Sequence, residues 1–350
     1  MGAGAAHRCR VPSDRVSDLD ETIDAVAADS AFSGLVAVDL PDQPPVRRAI
    51  GLADRRWRIP FEMDMRASIA SGTKGFTALT VMALVESGTL ELETTARSLL
   101  RHDLPLIDDT VTIEHLLAHR SGIGDYLDED ALGDISDHVM PVPVHRLARA
   151  EDYLAVLDGY PQVAPPGDRF AYNNGGFVVL ALLAERATGV AHDQLLLDTV
   201  CGPAGMASTS LLRSDSLPPG VATGYLDAHG LRTNALHLPL VGCGDGGAFT
   251  TLDDMTRFWE ALFGGAVVSP QTVSLMTAIR SCSDQGNRSY GLGFWLDHER
   301  PTASLEGYDA GVSFRSLHDP DRGTTLTVIG NWSDAAWPML RALQPILGFG

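Results

Sequence analysis

The stretch SIASGTKGFTALTVMALVESG, residues 68–88, constrains the fold of this 350-residue chain more than any other segment. Its apolar residues recur at helical spacing and Gly88 is a plausible stop, so the stretch predicts a helix. Ser71 and Lys74 lie three positions apart, and residues at that spacing share a helix face. Free backbone N–H groups at the helix start would lie beside Ser71. The pattern therefore predicts that a hydroxyl and an amine meet at the first turn.

Lysine use makes this pair unusual. Lysine and arginine together number 26, and Lys74 is the only lysine among them. A serine hydroxyl becomes a good nucleophile when a base takes its proton. A lysine can be that base if burial or nearby positive charge lowers its pKa, whereas arginine stays protonated in proteins. Retention of lysine at this one position favours a catalytic Ser71–Lys74 pair over a chance S-x-x-K pattern.

Composition narrows the class of partner. A hydrophobic content of 45% and a charged content of 20% fit a globular protein. The net charge of −19 disfavours binding to nucleic acid or to an anionic membrane, because both require basic patches. No signal peptide and no run of 18 apolar residues are visible, so a cytoplasmic location is expected. We therefore expect a small-molecule or peptide substrate, and the oligomeric state stays open.

The order of predicted elements indicates the architecture. Strand patterns occur early and late in the chain, whereas the middle is mainly helical; the strands are predicted at residues 34–40, 46–53, 290–296, 312–317 and 324–331. This order predicts an α/β fold of the α+β type, with an antiparallel sheet of N- and C-terminal strands flanked by helices. Residues 1–75 and 245–350 would form the sheet domain and residues 76–244 an inserted, mainly helical domain. The active site would lie in the cleft between them.

Two other patterns in the sequence could form ligand sites. His115 and His119 form an i, i+4 pair in a helix predicted over residues 112–122 and capped at Thr112, which allows a zinc site. The H-E-x-x-H order is absent, so no metal is predicted. Residues 242–247 contain G-x-G-x-x-G, but no repeated βαβ pattern surrounds them. We interpret them as a tight loop lining a site, and no cofactor is predicted.

Several separated motifs carry a resemblance to a known family. Besides Ser71-Gly72-Thr73-Lys74, they are Tyr172-Asn173-Asn174, the segment LLAHRSGIGDY over residues 116–126, and Pro165-Pro166-Gly167. The combination resembles the serine β-lactamase and penicillin-binding-protein superfamily, in the branch of class C β-lactamases, D-alanyl-D-alanine carboxypeptidases and esterases of the same fold. The resemblance covers most of the chain and implies a β-lactamase/transpeptidase-like fold.

The resemblance also implies residue roles. Ser71 would attack a carbonyl and form an acyl-enzyme, while Lys74 and Tyr172 share the proton transfers. The Lys74 cation would favour the phenolate of Tyr172. Asn174 would hydrogen-bond Lys74 or the substrate, unless it is only a helix cap. The oxyanion would lie between the N–H of Ser71 and one near Ala310–Gly311.

The family's third motif, Lys-Thr-Gly or His-x-Gly on a strand, is not reproduced. The best match is residues 307–311, GYDAG, just before the strand predicted at 312–317. Tyr308 takes the place of the basic side chain that helps hold a substrate carboxylate in relatives. Asp309 would be a carboxylate near the site, and Ala310 or Gly311 would replace the family's glycine. In an alternating strand Arg315, seven residues on, would point away from the face of Tyr308.

These observations predict a serine hydrolase that cleaves an ester or amide of a small molecule or peptide. The missing cation disfavours the alternatives of a D-Ala-D-Ala carboxypeptidase or a β-lactamase, because a desolvated carboxylate without a partner is costly. A non-catalytic binding protein on the same fold is a further alternative, and the presence of Ser71, Lys74 and Tyr172 argues against it. The last alternative is a metallohydrolase that uses His115 and His119.

Overall fold

Both ends of the chain contribute strands to the structure. The computed structural model describes residues 14–129, 132–283 and 288–349. The strands of these residues are, in chain order, β1 (Gly34–Asp39), β2 (Val46–Ile50), β3 (Leu52–Asp54), β4 (Ile59–Pro60), β5 (Ala67–Ser68), β6 (Ser210–Leu211), β7 (Ala248–Thr250), β8 (Ser281–Cys282), β9 (Arg288–Tyr290), β10 (Trp295–Asp297), β11 (Ala303–Asp309), β12 (Val312–Asp319) and β13 (Thr324–Gly330).

The main sheet of the described residues has eight antiparallel strands in the order β2-β1-β13-β12-β11-β10-β9-β8. The N-terminal hairpin β1–β2 therefore forms one edge and pairs with the last strand. Two small sheets accompany it, β3–β4 and β5-β7-β6. The fold type expected from the order of elements is confirmed.

Helices cover both faces of the main sheet. In chain order those of the described residues are α1 (Asp14–Asp29), α2 (Thr73–Glu86), α3 (Ala96–Leu100), α4 (Ile113–Leu117), α5 (Leu154–Leu157), α6 (Asn174–Thr188), α7 (His192–Leu196), α8 (Gly202–Ala204), α9 (Leu252–Phe263), α10 (Pro270–Met276) and α11 (Ala336–Leu347). Helices α1 and α11 bury apolar side chains against one face, with Leu19, Val36 and Met339 fully buried there. On the opposite face α2 and α9 pack together, and the rings of Phe76 and Phe258 lie 5.0 Å apart.

Helix α6 shows how local sequence sets an element beside the site. The side chain of Asn173 caps it by accepting a hydrogen bond from the N–H of Gly176 at 2.6 Å. Gly189 ends it in the left-handed conformation, at φ 73°, which glycine adopts readily. Its residues from Phe177 to Ala184 are all buried, in keeping with the apolar, alanine-rich sequence.

Several predicted elements are shorter than expected. The strand expected at residues 46–53 is divided by Gly51, at φ 77°, and the strand expected at 290–296 is divided by a turn at Gly293, at φ 92°. The helix expected over 112–122 begins after its cap Thr112 but ends at Leu117. The sequence did not predict strand β11. It contains Gly307, and glycine is rare in strands, but pairing with β10 on one side and β12 on the other stabilises it as a strand.

Two other expectations concern domains and membranes. The division into residues 1–75 with 245–350, and 76–244, stays a prediction; the buried contact of Phe76 with Phe258 crosses it. Among the helices described, none combines the length and apolar character that crossing a bilayer requires.

Candidate active site

Ser71 lies in a single 3₁₀ turn, Ala70–Gly72, that leads directly into α2. The turn is strained at Ala70, where φ is 43°. The buried hydroxyl of Thr73 holds it by donating to the carbonyl of Ala70 at 2.7 Å and accepting from the N–H of Ala248 at 3.0 Å. Hydrogen bonds of Thr73, the first residue of α2, to the turn and to β7 therefore hold the strained conformation in place. Ser71 itself is partly exposed.

Glycines allow the sheet to approach this turn closely. A Cβ on Gly72 would overlap the ring of Phe314 on β12. A Cβ on Gly307 of β11 would overlap the carbonyl oxygen of Ile69 and lie 3.0 Å from the nitrogen of Gly72. Ala70–Gly72 is therefore packed directly against the middle of the main sheet.

Replacing Gly307 by alanine should destabilise the protein and lower its activity. The new methyl group meets backbone atoms of the Ser71 turn, and overpacking of this kind costs about 1–3 kcal/mol or more. Gly133→Ala is the matched control, because a Cβ there meets nothing within 4 Å. Thermal unfolding of both variants checks the expectation, and equal melting temperatures would contradict the close approach of β11.

Lys74 is fully buried, with 2% of its surface exposed, and its amine joins three groups. Its Nζ lies 2.8 Å from the Oγ of Ser71, 2.7 Å from the Oδ1 of Asn174 and 2.7 Å from the main-chain oxygen of Asp245. The last two atoms can only accept, so they occupy two N–H groups of the amine. The third position faces Ser71, where the proton can lie on either partner. This geometry suits an exchange of one proton between lysine and serine.

The pKa of Lys74 is lowered from its usual value by burial, because desolvation disfavours the ammonium form. Four carboxylates oppose this effect: Asp245, Glu129, Asp125 and Asp309. Burial raises the pKa of Asp125 to about 6 and that of Asp309 to about 7. The environment therefore moves the lysine toward the neutral form that a base requires.

Tyr172 lies beside the pair, in an aromatic enclosure. Its ring is 4.4 Å from that of His119 and 6.0 Å from that of Trp295, and the Nζ of Lys74 lies 5.0 Å from its centroid. Burial raises the pKa of Tyr172 well above its usual value, and Glu129 adds to this; a hydrogen bond with Ser71 acts in the opposite direction. The expected phenolate is therefore disfavoured, and the tyrosine keeps its proton in the free protein.

Asn174 is the first residue of α6, and the cap is its neighbour Asn173. The Nδ2 of Asn174 donates to the Leu127 carbonyl at 3.2 Å and to the Oε1 of Glu129 at 3.0 Å. These bonds orient its Oδ1 toward Lys74. Of the three roles considered for Asn174, the hydrogen bond to Lys74 is present and the helix cap is Asn173, whereas a bond to the substrate stays a prediction.

Three acidic residues around Lys74 were not predicted as site residues. Asp125 accepts the N–H groups of Asn174 and Gly175, at 2.6 and 2.9 Å, and so supports the start of α6. Asp245 accepts a hydrogen bond from the hydroxyl of Tyr126, and Glu129 is bonded by Asn174. They come from two loops far apart in sequence. The only signals were the acidic character of residues 123–146 and the glycine loop that holds Asp245.

The third-motif segment forms the tip of the β11–β12 hairpin. Tyr308 pairs with Ser313 and Glu306 with Arg315, so Arg315 shares the face of Tyr308, contrary to the expectation from strand alternation. The chain reverses direction at Ala310–Gly311, so Tyr308 and Arg315 lie on two paired strands and alternation counted along a single strand does not apply to them. The ring of Tyr308 packs 6.0 Å from that of Trp337 on α11, and Arg315 forms an ion pair with Glu306.

Asp309 lies on the other face of β11. Gly307 on that face contacts the Ser71 turn and Leu305 contacts Gly75 of α2, and side chains alternate along a strand. Asp309 therefore points to the side of the nucleophile, close enough for its charge to interact with Lys74. Asp309 thus lies on the nucleophile's side of the hairpin tip, whereas the Tyr308 ring packs toward α11.

The two N–H groups considered for the oxyanion are already bonded. The N–H of Ala310 donates to the Oδ1 of Asp309 at 2.7 Å, and that of Gly311 donates to the Oγ of Ser333 at 2.9 Å. A second donor beside the Ser71 N–H would require one of these bonds to open. The oxyanion site at Ala310–Gly311 stays a prediction.

The two histidines considered for zinc have other partners. The Nδ1 of His115 accepts from the N–H of its own helix cap, Thr112, at 3.3 Å. His119 follows α4 at φ 52°, and its Nδ1 accepts from the N–H of Asn173 at 3.1 Å. The glycine loop 242–247 lines the cavity next to Ser71, which confirms its interpretation as a site loop.

A cavity of about 190 Å³ opens beside Ser71. Asn174, Asp245, Glu129, Tyr308 and Asp309 border it, together with Gly311. Part of the wall is apolar, with Leu127, Leu212, Leu217, Leu238 and Phe249. Six of the eight predicted site residues therefore lie at one cavity or on the amine beneath Ser71, and the nucleophile can meet a ligand bound there.

The chain is similar to several known proteins over most of its length. A family model described as "Beta-lactamase" matches residues 19–346. The crystal structure of a penicillin-binding protein from Bacillus halodurans is 33% identical, with a TM-score of 0.86 over 93% of this chain and 99% of that one. Protein Rv1367c of Mycobacterium tuberculosis is 29% identical over 83% of this chain and 76% of its own length.

A named esterase is also among the relatives. Esterase EstB of Burkholderia gladioli is 32% identical over 60% of this chain and 54% of its own length. The family match spans nearly the whole chain. Ser71 lines the cavity, and the buried Lys74 amine contacts it, with the Tyr172 ring beside that amine. The chain belongs to the beta-lactamase family.

Proposed function

We propose that this protein is a serine hydrolase that cleaves an ester or amide bond of a small molecule or peptide through an acyl-enzyme on Ser71. The observation that carries the proposal is the 2.8 Å contact of the Lys74 amine with the Ser71 hydroxyl, beside an open cavity. Two fixed acceptors hold the amine in place, so it reaches the serine without rearrangement. The similarity to an esterase supports the same reaction class.

The proton path follows from the two pKa directions. Lys74, whose pKa is lowered, accepts the Ser71 proton as the oxygen attacks the substrate carbonyl. Tyr172, which keeps its proton in the free protein, is hydrogen-bonded to Ser71 and donates that proton to the leaving group. The Lys74 ammonium then returns the Ser71 proton to Tyr172, so that lysine is neutral and tyrosine protonated again in the acyl-enzyme. Water then attacks the acyl-enzyme with the same groups acting in reverse.

The charges at the cavity favour uncharged substrates over carboxylates. Arg56 is the cationic side chain among the described residues that line the cavity, and it is paired with Asp54 at 2.6 Å. Asp309 and Glu129 add negative charge close to Ser71, so a substrate carboxylate would be desolvated without a partner.

We therefore expect a short-chain p-nitrophenyl ester to be hydrolysed with a higher kcat/KM than nitrocefin or a D-Ala-D-Ala peptide. Steady-state kinetics on the three substrates, with Ser71→Ala as the background, check this expectation. A clear preference for nitrocefin, or efficient release of D-alanine, would contradict it and favour the β-lactamase or carboxypeptidase alternative.

A further inference from the structure

Three acidic side chains at the cavity have no part in the proton transfers of the proposed reaction. Glu129, Asp245 and Asp309 border the cavity beside Ser71. Two of them are bonded by neighbouring side chains, Asp245 by the Tyr126 hydroxyl and Glu129 by the Asn174 amide. Asp309 differs, because its bond comes from the adjacent main chain, the N–H of Ala310 at 2.7 Å. Asp309 lies on the nucleophile's side of the sheet, and the residue is partly exposed.

Nearby cations of the described residues are committed elsewhere. The three bonds of the Lys74 amine go to Ser71, Asn174 and the main chain of Asp245, and none goes to Asp309. Arg56 forms hydrogen bonds from Nε and Nη2 to Asp54, at 3.3 and 2.6 Å. A carboxylate in an enclosed site is stabilised by an opposite charge, and the residues that the structure describes supply no direct cationic partner to Asp309.

The acid–base state of Asp309 agrees with this geometry. Burial raises its pKa to about 7, and Glu129 and Asp245 add to the increase, while the Ala310 N–H and Lys74 oppose it. The carboxyl group therefore holds its proton to a higher pH than an exposed aspartate does. A cationic ligand would hold it in the charged form and would gain a charge-assisted hydrogen bond.

We propose that Asp309 binds a substrate ammonium group, so that the preferred substrates are esters or amides that carry a primary amine. This inference rests on the proposed hydrolase function and adds the substrate class. The apolar wall formed by Leu212, Leu217, Leu238 and Phe249 would hold the uncharged part of the same substrate. Asp309 is thus a specificity-determining residue, and Tyr308, on the neighbouring position, supplies no charge.

Matched pairs of substrates test the proposal. Alanyl and isobutyryl p-nitrophenyl esters differ in one group, an ammonium in place of a methyl, as do β-alanyl and butyryl p-nitrophenyl esters. Each kcat/KM is divided by the spontaneous hydrolysis rate constant of the same ester, because an ammonium group also activates the carbonyl without the protein. The ratio of these normalised values, charged over neutral, should exceed about tenfold in at least one pair, which is the scale of one charge-assisted hydrogen bond. Asp309→Asn should bring that ratio close to one.

Controls separate this charge effect from general ones. Asp253→Asn removes the same charge from an exposed position on α9 and should leave the ratio unchanged. Inhibition of butyryl ester hydrolysis by n-butylammonium, but not by butanol at the same concentration, should be seen in the wild-type protein. This measurement needs no variant, so it holds even if Asp309→Asn fails to fold.

The outcomes are distinct. Ratios near one in both pairs, absence of inhibition by n-butylammonium, or a ratio that Asp309→Asn leaves unchanged would overturn the role of Asp309 while ester hydrolysis stands. Hydrolysis of none of the four esters, without any label on Ser71, would overturn the proposed function and this inference with it.

Discussion

Replacing Lys74 by arginine is expected to lower kcat by about 10²–10⁴, nearly as much as replacing it by alanine. Removal of a general base typically costs this factor. The substitution keeps a positive charge, but a guanidinium stays protonated and cannot take the Ser71 proton. It also cannot reproduce the three bonds of the Lys74 amine to Ser71, Asn174 and Asp245.

Steady-state kinetics of both variants on one p-nitrophenyl ester measure this effect. Circular dichroism and thermal unfolding provide the control, since a buried arginine can also destabilise the protein. If the arginine variant kept more than about a tenth of the wild-type kcat, on the scale of general-base effects, Lys74 would act as a fixed charge and not as a proton acceptor.

Ser71→Ala should reduce ester hydrolysis to the uncatalysed rate. The hydroxyl is the nucleophile of the proposed reaction, and no other group occupies its position at the cavity. Ser71 is partly exposed and the turn is held by Thr73, so the variant should fold with little loss of stability. Ser98→Ala, at an exposed position in α3, is the matched control. Wild-type rates in purified Ser71→Ala would remove Ser71 from the mechanism.

Local patterns were enough to predict the centre of the site. Ser71 and Lys74 meet because their spacing along one turn is set by helix geometry, which any sequence with this period would share. Thr112 is the cap that the sequence predicted for α4, and such signals also act over a few residues. The cap of α6 is Asn173, one residue before the candidate Asn174. The strands predicted at residues 34–40 and 46–53 correspond to β1 and β2, which form one edge of the main sheet.

The electrostatic surroundings could not be predicted in the same way. Asp125 and Glu129 come from one loop and Asp245 from another, and only the tertiary fold brings them to Lys74. A phenolate was expected at Tyr172 because only the charge of Lys74 was taken into account. Burial has the larger effect and raises the pKa of Tyr172. Arg315 was placed on the wrong face because the hairpin turn between β11 and β12 was not recognised.

The covalent intermediate on Ser71 is the central claim, and mass spectrometry tests it most directly. The wild-type protein and Ser71→Ala would each be incubated with a fluorophosphonate, and intact masses and peptide maps would be recorded. We predict one adduct per wild-type chain, located on Ser71, and none on the alanine variant. Ester hydrolysis by a wild-type protein that acquires no adduct, or acquires it on another residue, would contradict the account.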